Sequence, residues 1–148
     1  MTIYFYTTRD QYACFSNFSP HGFVLDNLYW PTSEHYFQAQ KFIGTPYLEQ
    51  IRLLKTPKDA KKIGRKTSLP LRSDWENVKD DIMRKAVLCK FTTHADIQEI
   101  LLSTGEEELV ENSPIDFYWG CGADGSGKNM LGKILMEVRE IIILNNNQ

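Results

Sequence analysis

The chain has no apolar run that could cross a bilayer and no excess of basic charge. Its longest aliphatic run, at residues 141–144, is Ile-Ile-Ile-Leu, whereas a membrane helix needs about 18 or more apolar residues. Seventeen Lys and Arg stand against 19 Asp and Glu, which gives a net charge of −2 at pH 7. No overall field draws such a chain toward nucleic acid. We therefore expect no membrane partner, and only a local basic patch remains as a nucleic-acid contact.

Cysteine is scarce, and Cys14, Cys89 and Cys121 lie far apart with no CxxC pair. This pattern predicts neither a zinc site nor a disulfide framework. The first residues have no basic segment followed by an apolar core, which a secretory signal peptide requires. Scattered cysteines without an export signal predict a cytoplasmic protein.

A chain of 148 residues corresponds to about one domain, and a domain of this size buries roughly 68–70% of its unfolded surface. No repeat or linker divides the sequence, so we expect a single domain over residues 1–148. The unusual feature of the composition is its aromatic content of 12%.

The local patterns predict more helix than strand. The predicted strands are Ile3–Tyr6, Phe23–Trp30 (one strand, or two around an Asp26-Asn27 turn), Leu109-Val110 and Phe117–Trp119. The predicted helices are Ser33–Ile43, capped by Thr32; Pro46 to about Leu54; Lys58–Ile63, capped by Thr56; one opened by a Ser73–Glu76 capping box; Ala95–Ser103; and about Leu131 to Leu144. Regular alternation of strand and helix is absent, so the sequence predicts a compact, mainly helical α+β domain with a small β-sheet.

Two nucleotide-binding patterns overlap in the glycine-rich segment. Residues 120–125 match G-x-G-x-x-G, but only one predicted helix follows, so the strand–helix–strand unit of a dinucleotide site is missing. Residues 122–129 nearly match a P-loop, but Asn129 replaces the Ser or Thr that would hold Mg²⁺. Both assignments are therefore rejected.

The glycine loop nevertheless has properties of a ligand site. Gly122 and its neighbouring glycines allow a close approach of the backbone. Lys128 and the start of the following helix would favour an anion, and Trp119 resembles one wall of a base or sugar pocket. The alternative is a flexible surface connection between a strand and a helix.

A polar stripe lies on the first predicted helix. Glu34, Gln38 and Lys41 are spaced i, i+4 and i+7 and therefore share a face, while aromatic residues surround them. A helix that is apolar on more than one side is buried, so this stripe must be paired or face a cavity. Glu34 could instead interact favourably with the helix dipole or form a structural contact with Lys41. The pattern alone leaves both a functional and a structural role of Glu34 open.

Other polar residues suit a phosphate or a base. Arg65 and Arg72 carry forked donors that match a phosphate, although solvated arginines are the ordinary alternative. Asn17, beside Phe18, and Asp116 place polar groups next to aromatic rings.

Together these segments resemble the NADAR (YbiA-like) N-glycosidase family. The most specific stretch is Trp-Pro-Thr-Ser-Glu-His-Tyr-Phe-Gln at residues 30–38. The matching positions cover nearly the whole chain: residues 15–18, 30–42, 64–65, 71–72, 74–75, 90–91, 109–111 and 116–120, with Gly122, Gly125, Gly127, Asn129, Leu131 and Gly132.

The resemblance implies hydrolysis of an N-glycosidic bond to ribose. It implies a small-molecule ribosyl phosphate as substrate, namely the ribosylamino-pyrimidine phosphates that are early intermediates of riboflavin synthesis. Other members of the family remove ADP-ribose from guanine bases, so ADP-ribosylated guanine in nucleic acid is the alternative substrate. A non-catalytic ADP-ribose-binding module is a third reading. The resemblance also implies that Glu34 occupies the catalytic position of the family, and it implies no metal or organic cofactor.

Residue chemistry leaves two routes open. Cleavage of a ribosyl C–N bond develops oxocarbenium-like charge, which the Glu34 carboxylate can stabilise while it activates water. A second carboxylate would have to come from Asp116 or Asp124. Alternatively, a desolvated Lys41 can form a Schiff base with the ring-opened sugar.

The expected site therefore has a catalytic and a binding set, and we expect them to converge within about 12 Å, the scale of one small-ligand cleft. Its catalytic set is Glu34, Lys41 and Asp116. Its substrate-binding set is Asn17, Phe18, Trp30, Gln38, Arg65, Arg72, Trp119, Gly122, Asp124, Lys128 and Asn129. Within this set, Trp30, Trp119 and Phe18 are expected against the base, and Arg65, Arg72 and Lys128 on the phosphate. Asn17 and Asn129 are expected on the base edge or the sugar hydroxyls. Sequence does not fix the oligomeric state.

Overall fold

The computed structural model describes residues 1–147. Within them the backbone forms four short strands, six α-helices and a 3₁₀ turn at Ala13–Phe15. The strands are β1 (Ile3–Phe5), β2 (Phe23–Leu25), β3 (Leu28–Trp30) and β4 (Leu109–Glu111). The helices are α1 (Ser33–Gln40), α2 (Pro46–Arg52), α3 (Pro57–Gly64), α4 (Trp75–Thr93), α5 (Ala95–Ser103) and α6 (Met130–Asn146).

The chain divides into two compact units. The terminal unit consists of residues 1–16 together with the chain from Phe91 onward, and the central unit is Asn17–Lys90. Among residues 1–147, no helix is both long enough and apolar enough to cross a bilayer.

The terminal unit is built on a parallel pair of strands covered by α6. β1 pairs with β4 so that Ile3 lies opposite Leu109. Helix α6 packs on β4 through its apolar face. On the same helix, the buried guanidinium of Arg139 donates to Thr104 Oγ1 at 2.8 Å and to the Glu107 carbonyl at 2.9 Å. These bonds satisfy a charged group that would otherwise be costly to bury.

The central unit combines a hairpin with three helices. β2 and β3 pair antiparallel, with Phe23 opposite Trp30. Asp26 and Asn27, at the turn, both have positive φ angles, 55° and 66°, as a two-residue type I′ turn requires. Helix α1 packs against α2 and α3, and its Tyr36 and Ala39 form the core together with Phe23 and Trp30 of the hairpin.

The mainly helical α+β class is confirmed, with the β content divided between two separate pairs of strands. The two-strand reading of residues 23–30 is also confirmed, as are the Thr32 and Thr56 caps, which accept from the backbone N–H of His35 and Asp59. Helix α1 ends at Gln40, short of the expected Ile43, because the chain turns at residues 41–44.

The expected strand Phe117–Trp119 was wrong, and one expected helix start differs by a residue. Residues 117–119 form a bend and no strand, because the Asp116 carboxylate accepts the N–H groups of Tyr118 and Trp119. The long helix α4 begins at Trp75, one residue later than an N-cap at Ser73 would place it.

The close packing of α6 on β4 gives a first prediction. A Cβ on Gly132 would collide with the Leu109 carbonyl oxygen and the Asn129 side-chain amide. Helix propensity alone favours alanine over glycine by about 1 kcal/mol. We expect Gly132→Ala to destabilise the protein nonetheless, by about 1–3 kcal/mol, because the backbone must shift. Urea denaturation measures this change.

The exposed neighbour Lys133 provides the control. Lys133→Ala adds no atom at the interface and should alter the free energy of unfolding by no more than about 0.5 kcal/mol. A Gly132→Ala variant as stable as the parent protein would contradict the tight contact.

Candidate active site

Helix α1 carries the polar stripe, and all eight of its residues are buried. Its start is held from two sides. Thr32 caps the first turn, and the Asn17 carbonyl accepts the backbone N–H of Glu34 at 3.1 Å. The Ser33 hydroxyl donates to Asn17 Oδ1 at 2.8 Å. Asn17, expected to contact substrate, is thus tied to the start of the helix.

Glu34 lies at the centre of the site, with 7% of its surface exposed. Gln38 Nε2, one turn later, donates to Glu34 Oε2 at 2.8 Å. Burial raises the pKa of the Glu34 carboxyl, while the Gln38 hydrogen bond and the charges of Lys61, Lys41 and Arg65 oppose the rise. The carboxyl therefore binds a proton more readily than an ordinary glutamate does.

Lys41 follows α1 and lies between aromatic rings. Its Nζ is 5.9 Å from the Phe37 ring centre and 5.7 Å from that of Trp75, and it donates to the Gly64 carbonyl at 3.2 Å. Burial lowers the pKa of the Lys41 ammonium, and Glu34 partly opposes this. Glu34, Gln38 and Lys41 therefore share one environment, as their spacing indicated.

Helix α3 supplies basic residues to the same place. Lys61 lies with its Nζ 5.9 Å from the centre of the Phe18 ring, and Lys61 and Arg65 both favour the ionised form of Glu34. Sequence reasoning found Arg65 and Phe18 but missed Lys61. The i, i+4 spacing of Lys61 and Arg65 at the end of a helix was the available signal.

Trp30 and Arg72 make contacts other than those expected for substrate binding. Trp30 is fully buried, its indole N–H donates to the Leu25 carbonyl at 2.9 Å, and its ring packs edge-on against Tyr36. It therefore belongs to the core and offers no face to a base. The Arg72 guanidinium is paired with both carboxylate oxygens of Asp74, at 2.6 and 3.0 Å, so its forked donors are already used.

The remaining expected residues belong to the terminal unit. Asp116 is a turn cap, since its Oδ1 accepts from the backbone at 2.9 and 2.8 Å. Trp119 is half-buried and packs edge-on against Tyr118. Asp124 accepts from the backbone and hydroxyl of Ser126. These two carboxylates thus stabilise local turns.

The glycine loop differs from a phosphate cradle in its hydrogen bonds. The amides of residues 128–131, where α6 begins, donate to backbone carbonyls of residues 117–120, so they do not point at a ligand. Asn129 spans the loop and β4, because its side chain accepts from the Glu111 N–H and donates to the Leu109 carbonyl, each at 2.9 Å. The amides at the start of α6 therefore differ from the expected anion site, and the ligand role of Asn129 stays a prediction.

Gly122 and Lys128 are the loop residues whose expected contact with a ligand stays a prediction. Gly122 has a φ of +75°, and a Cβ there would collide with the Phe117 ring. Lys128 Nζ lies 5.4 Å from the centre of the Tyr118 ring. Both line an open cavity of about 490 Å³ together with Lys133. Convergence of this loop and Asp116 with Glu34 stays a prediction.

Comparison with known proteins identifies the relatives of the chain. The model of the NADAR domain family matches residues 4–143. "N-glycosidase Npun_R5314" of Nostoc punctiforme is 57% identical over 145 residues, covering 96% of this chain and 93% of the relative. "N-glycosidase YbiA" of Escherichia coli is 51% identical over 138 residues, covering 93% of this chain and 86% of the relative.

Two further relatives add structure and context. The NMR structure of E. coli YbiA matches with a TM-score of 0.93 and 48% identity, covering 99% of this chain and 88% of that one. "Riboflavin biosynthesis protein PYRR, chloroplastic" of Zea mays is 43% identical over 156 aligned positions, covering 95% of this chain but 25% of the maize protein.

These matches extend over almost the entire sequence, and the polar stripe of α1 lies within the matched region. The chain therefore belongs to the NADAR domain family and is an N-glycosidase.

Proposed function

We propose that this N-glycosidase hydrolyses the ribosyl C–N bond of ribosylamino-pyrimidine phosphates, the early intermediates of riboflavin biosynthesis. The observation that carries the proposal is a buried Glu34 carboxyl among the cations of Lys41, Lys61 and Arg65. The riboflavin name of the maize relative supports this class of substrate.

Glu34 suits both proton transfers that the hydrolysis requires. When the C–N bond breaks, the leaving nitrogen needs a proton and the sugar carbon gains positive charge. Water then adds to that carbon and releases a proton. A carboxyl whose pKa is raised by burial can give the first proton and accept the second near neutral pH, and its ionised form stabilises the cation between the two steps.

The basic residues of α3 suit the phosphate of such a substrate. Lys61 and Arg65 carry positive charge beside Glu34, and Arg65 is exposed. Charge-assisted hydrogen bonds to phosphate are shorter and stronger than neutral ones. We therefore assign the phosphate to Lys61 and Arg65 in place of Arg65, Arg72 and Lys128, the set expected from the sequence.

Lys41 supports a covalent variant of the same reaction. Burial lowers the pKa of its ammonium, and a neutral amine is the nucleophilic form. The Lys41 amine would attack the sugar carbon, the bond to the base nitrogen would break, and the proton would pass to the departing amine. The sugar ring would then open by cleavage of its C1–O4 bond, with the lysine N–H proton passing to O4, which turns the lysine–sugar bond into an imine. Water would hydrolyse that imine and release ribose phosphate and the free lysine.

The first prediction of the proposed function is that purified protein releases ribose phosphate from the ribosylamino-uracil phosphate. Glu34→Gln should lower the rate by about 100-fold or more, because it removes the proton-transferring group. Glu76→Gln is the matched control, since the Glu76 side chain is 78% exposed and should leave the rate unchanged.

Three results would redirect the proposal. Full activity in Glu34→Gln would remove Glu34 from the chemistry. Turnover only of ADP-ribosylated guanine would assign the alternative substrate, and a steep salt dependence of affinity would then indicate a nucleic-acid form of it. Binding of ADP-ribose without turnover of either substrate would indicate a binding module.

A second prediction concerns Lys41. If turnover follows the covalent variant, Lys41→Arg should lower it by about 100-fold or more, because arginine keeps the charge but cannot form an imine. Borohydride added during turnover should then trap a sugar adduct on the parent protein, seen by mass spectrometry, and none on Lys41→Arg. A parent protein without an adduct would favour direct attack of water assisted by Glu34.

A third prediction follows from the direction of the Glu34 pKa. Because the folded protein holds this proton more tightly than the unfolded chain, ionisation of Glu34 costs stability as the pH rises above the ordinary value of 4.5. Glu34→Gln removes that cost. Its melting temperature should exceed that of the parent at pH 8, and the difference should vanish below pH 4.5. A less stable variant at pH 8 would contradict the raised pKa.

A further inference from the structure

The amide of Gln38 is buried and hydrogen-bonded at one end. Its Nε2 donates to Glu34 Oε2 at 2.8 Å, while its Oε1 is buried and has no hydrogen-bond partner among residues 1–147. The residue is only 4% exposed. Packing therefore contributes to the position of the amide, and Gly64 packs closely against it.

Gly64 touches Gln38 so closely that no side chain fits between them. A Cβ on Gly64 would collide with Gln38 Oε1 and would lie 2.8 Å from both Cβ and Cδ of Gln38. Gly64 is not among the glycines with positive φ, so its backbone conformation suits alanine, which is also the better helix former. The close approach of α3 to α1 therefore accounts for glycine at this position.

The same residue also contacts the second polar group of the stripe. The Gly64 carbonyl accepts from Lys41 Nζ at 3.2 Å. Gly64 thus contacts two residues of the polar stripe. Its lack of a side chain leaves room for Gln38, the partner of Glu34, and its carbonyl accepts from Lys41.

We propose that Gly64 is a positioning residue of the active site, which seats the Gln38 amide against Glu34 and fixes the direction of the Lys41 ammonium. This inference rests on the proposed function only in treating Glu34 and Lys41 as the reacting groups. The position of the Gln38 amide against Glu34 is a property of the protein without substrate and can be measured in that state.

The proposal determines how Glu34 responds to a methyl group at position 64. The added methyl displaces the Gln38 amide from Glu34 Oε2. The hydrogen bond that favours the ionised form is then lost, while burial and the charges of Lys61, Lys41 and Arg65 remain. The carboxyl must titrate at higher pH, by about one unit, since one hydrogen bond is worth roughly that much.

The experiment is an NMR titration of the Glu34 side-chain carboxyl in ¹³C-glutamate-labelled protein, with Glu34→Gln to assign the signal. The parent, Gly64→Ala, Gln38→Ala and the double variant are compared. Lys58→Ala, on the exposed face of α3, is the control. We expect both single variants to raise the Glu34 pKa by about one unit and the double variant to raise it no further. The control should not move it.

Two results would overturn the proposal: an unchanged Glu34 pKa in a folded Gly64→Ala, or additive shifts in the double variant. Because Glu34 supplies the proton that the leaving nitrogen takes, the alkaline limb of turnover against pH should move with the titration. If the Glu34 pKa shifts as expected but Glu34→Gln leaves turnover unchanged, the positioning role of Gly64 is supported and the catalytic role of Glu34 is rejected. The two claims are thus tested separately.

Discussion

Helix α1 is buried along its whole length, so each polar group on it must find its partner within the protein. Glu34 has the largest free-energy cost of burial among these groups, because its carboxylate loses its hydration there. The hydrogen bond from Gln38 and the neighbouring cations replace only part of that stabilisation. A sequence selected for stability alone would not keep an ionisable group at this position. The arrangement is instead typical of a site where a group must exchange protons near neutral pH.

The reactive stripe could be predicted from the sequence because it depends on local geometry. Glu34, Gln38 and Lys41 share a face by helical periodicity, and their aromatic neighbours indicated burial. Gly64 could not be found this way, and the spacing of Lys61 and Arg65 indicated a basic face on α3 without indicating that this face lies at Glu34. Their importance comes from the approach of α3 to α1, and no pattern within either helix encodes that distance.

In the glycine-rich segment, by contrast, the local pattern did not show which groups are already hydrogen-bonded within the protein. Its glycines, Lys128 and the following helix have the local form of an anion site, yet the amides at the start of α6 are used by backbone carbonyls of residues 117–120. Asn129, read as a ligand contact, joins this segment to β4. A sequence motif reveals which groups are present, but only the fold determines which of them remain available for a ligand. The same holds for Trp30 and Arg72, which have suitable chemistry but are already engaged.

The cap of α1 has a consequence of its own. His35 Nε2 donates to the Leu54 carbonyl at 2.9 Å, so its Nδ1 is left to accept the Thr32 hydroxyl at 2.8 Å. Burial lowers the pKa of this imidazole below 6.5, which means that folding favours the uncharged ring. A proton on Nδ1 would convert this acceptor into a donor, so the Thr32 hydroxyl could no longer donate to it, which weakens the anchor of the first turn. Acid would therefore loosen the attachment of the helix itself, so that low pH would affect the support of Glu34 as well as its protonation.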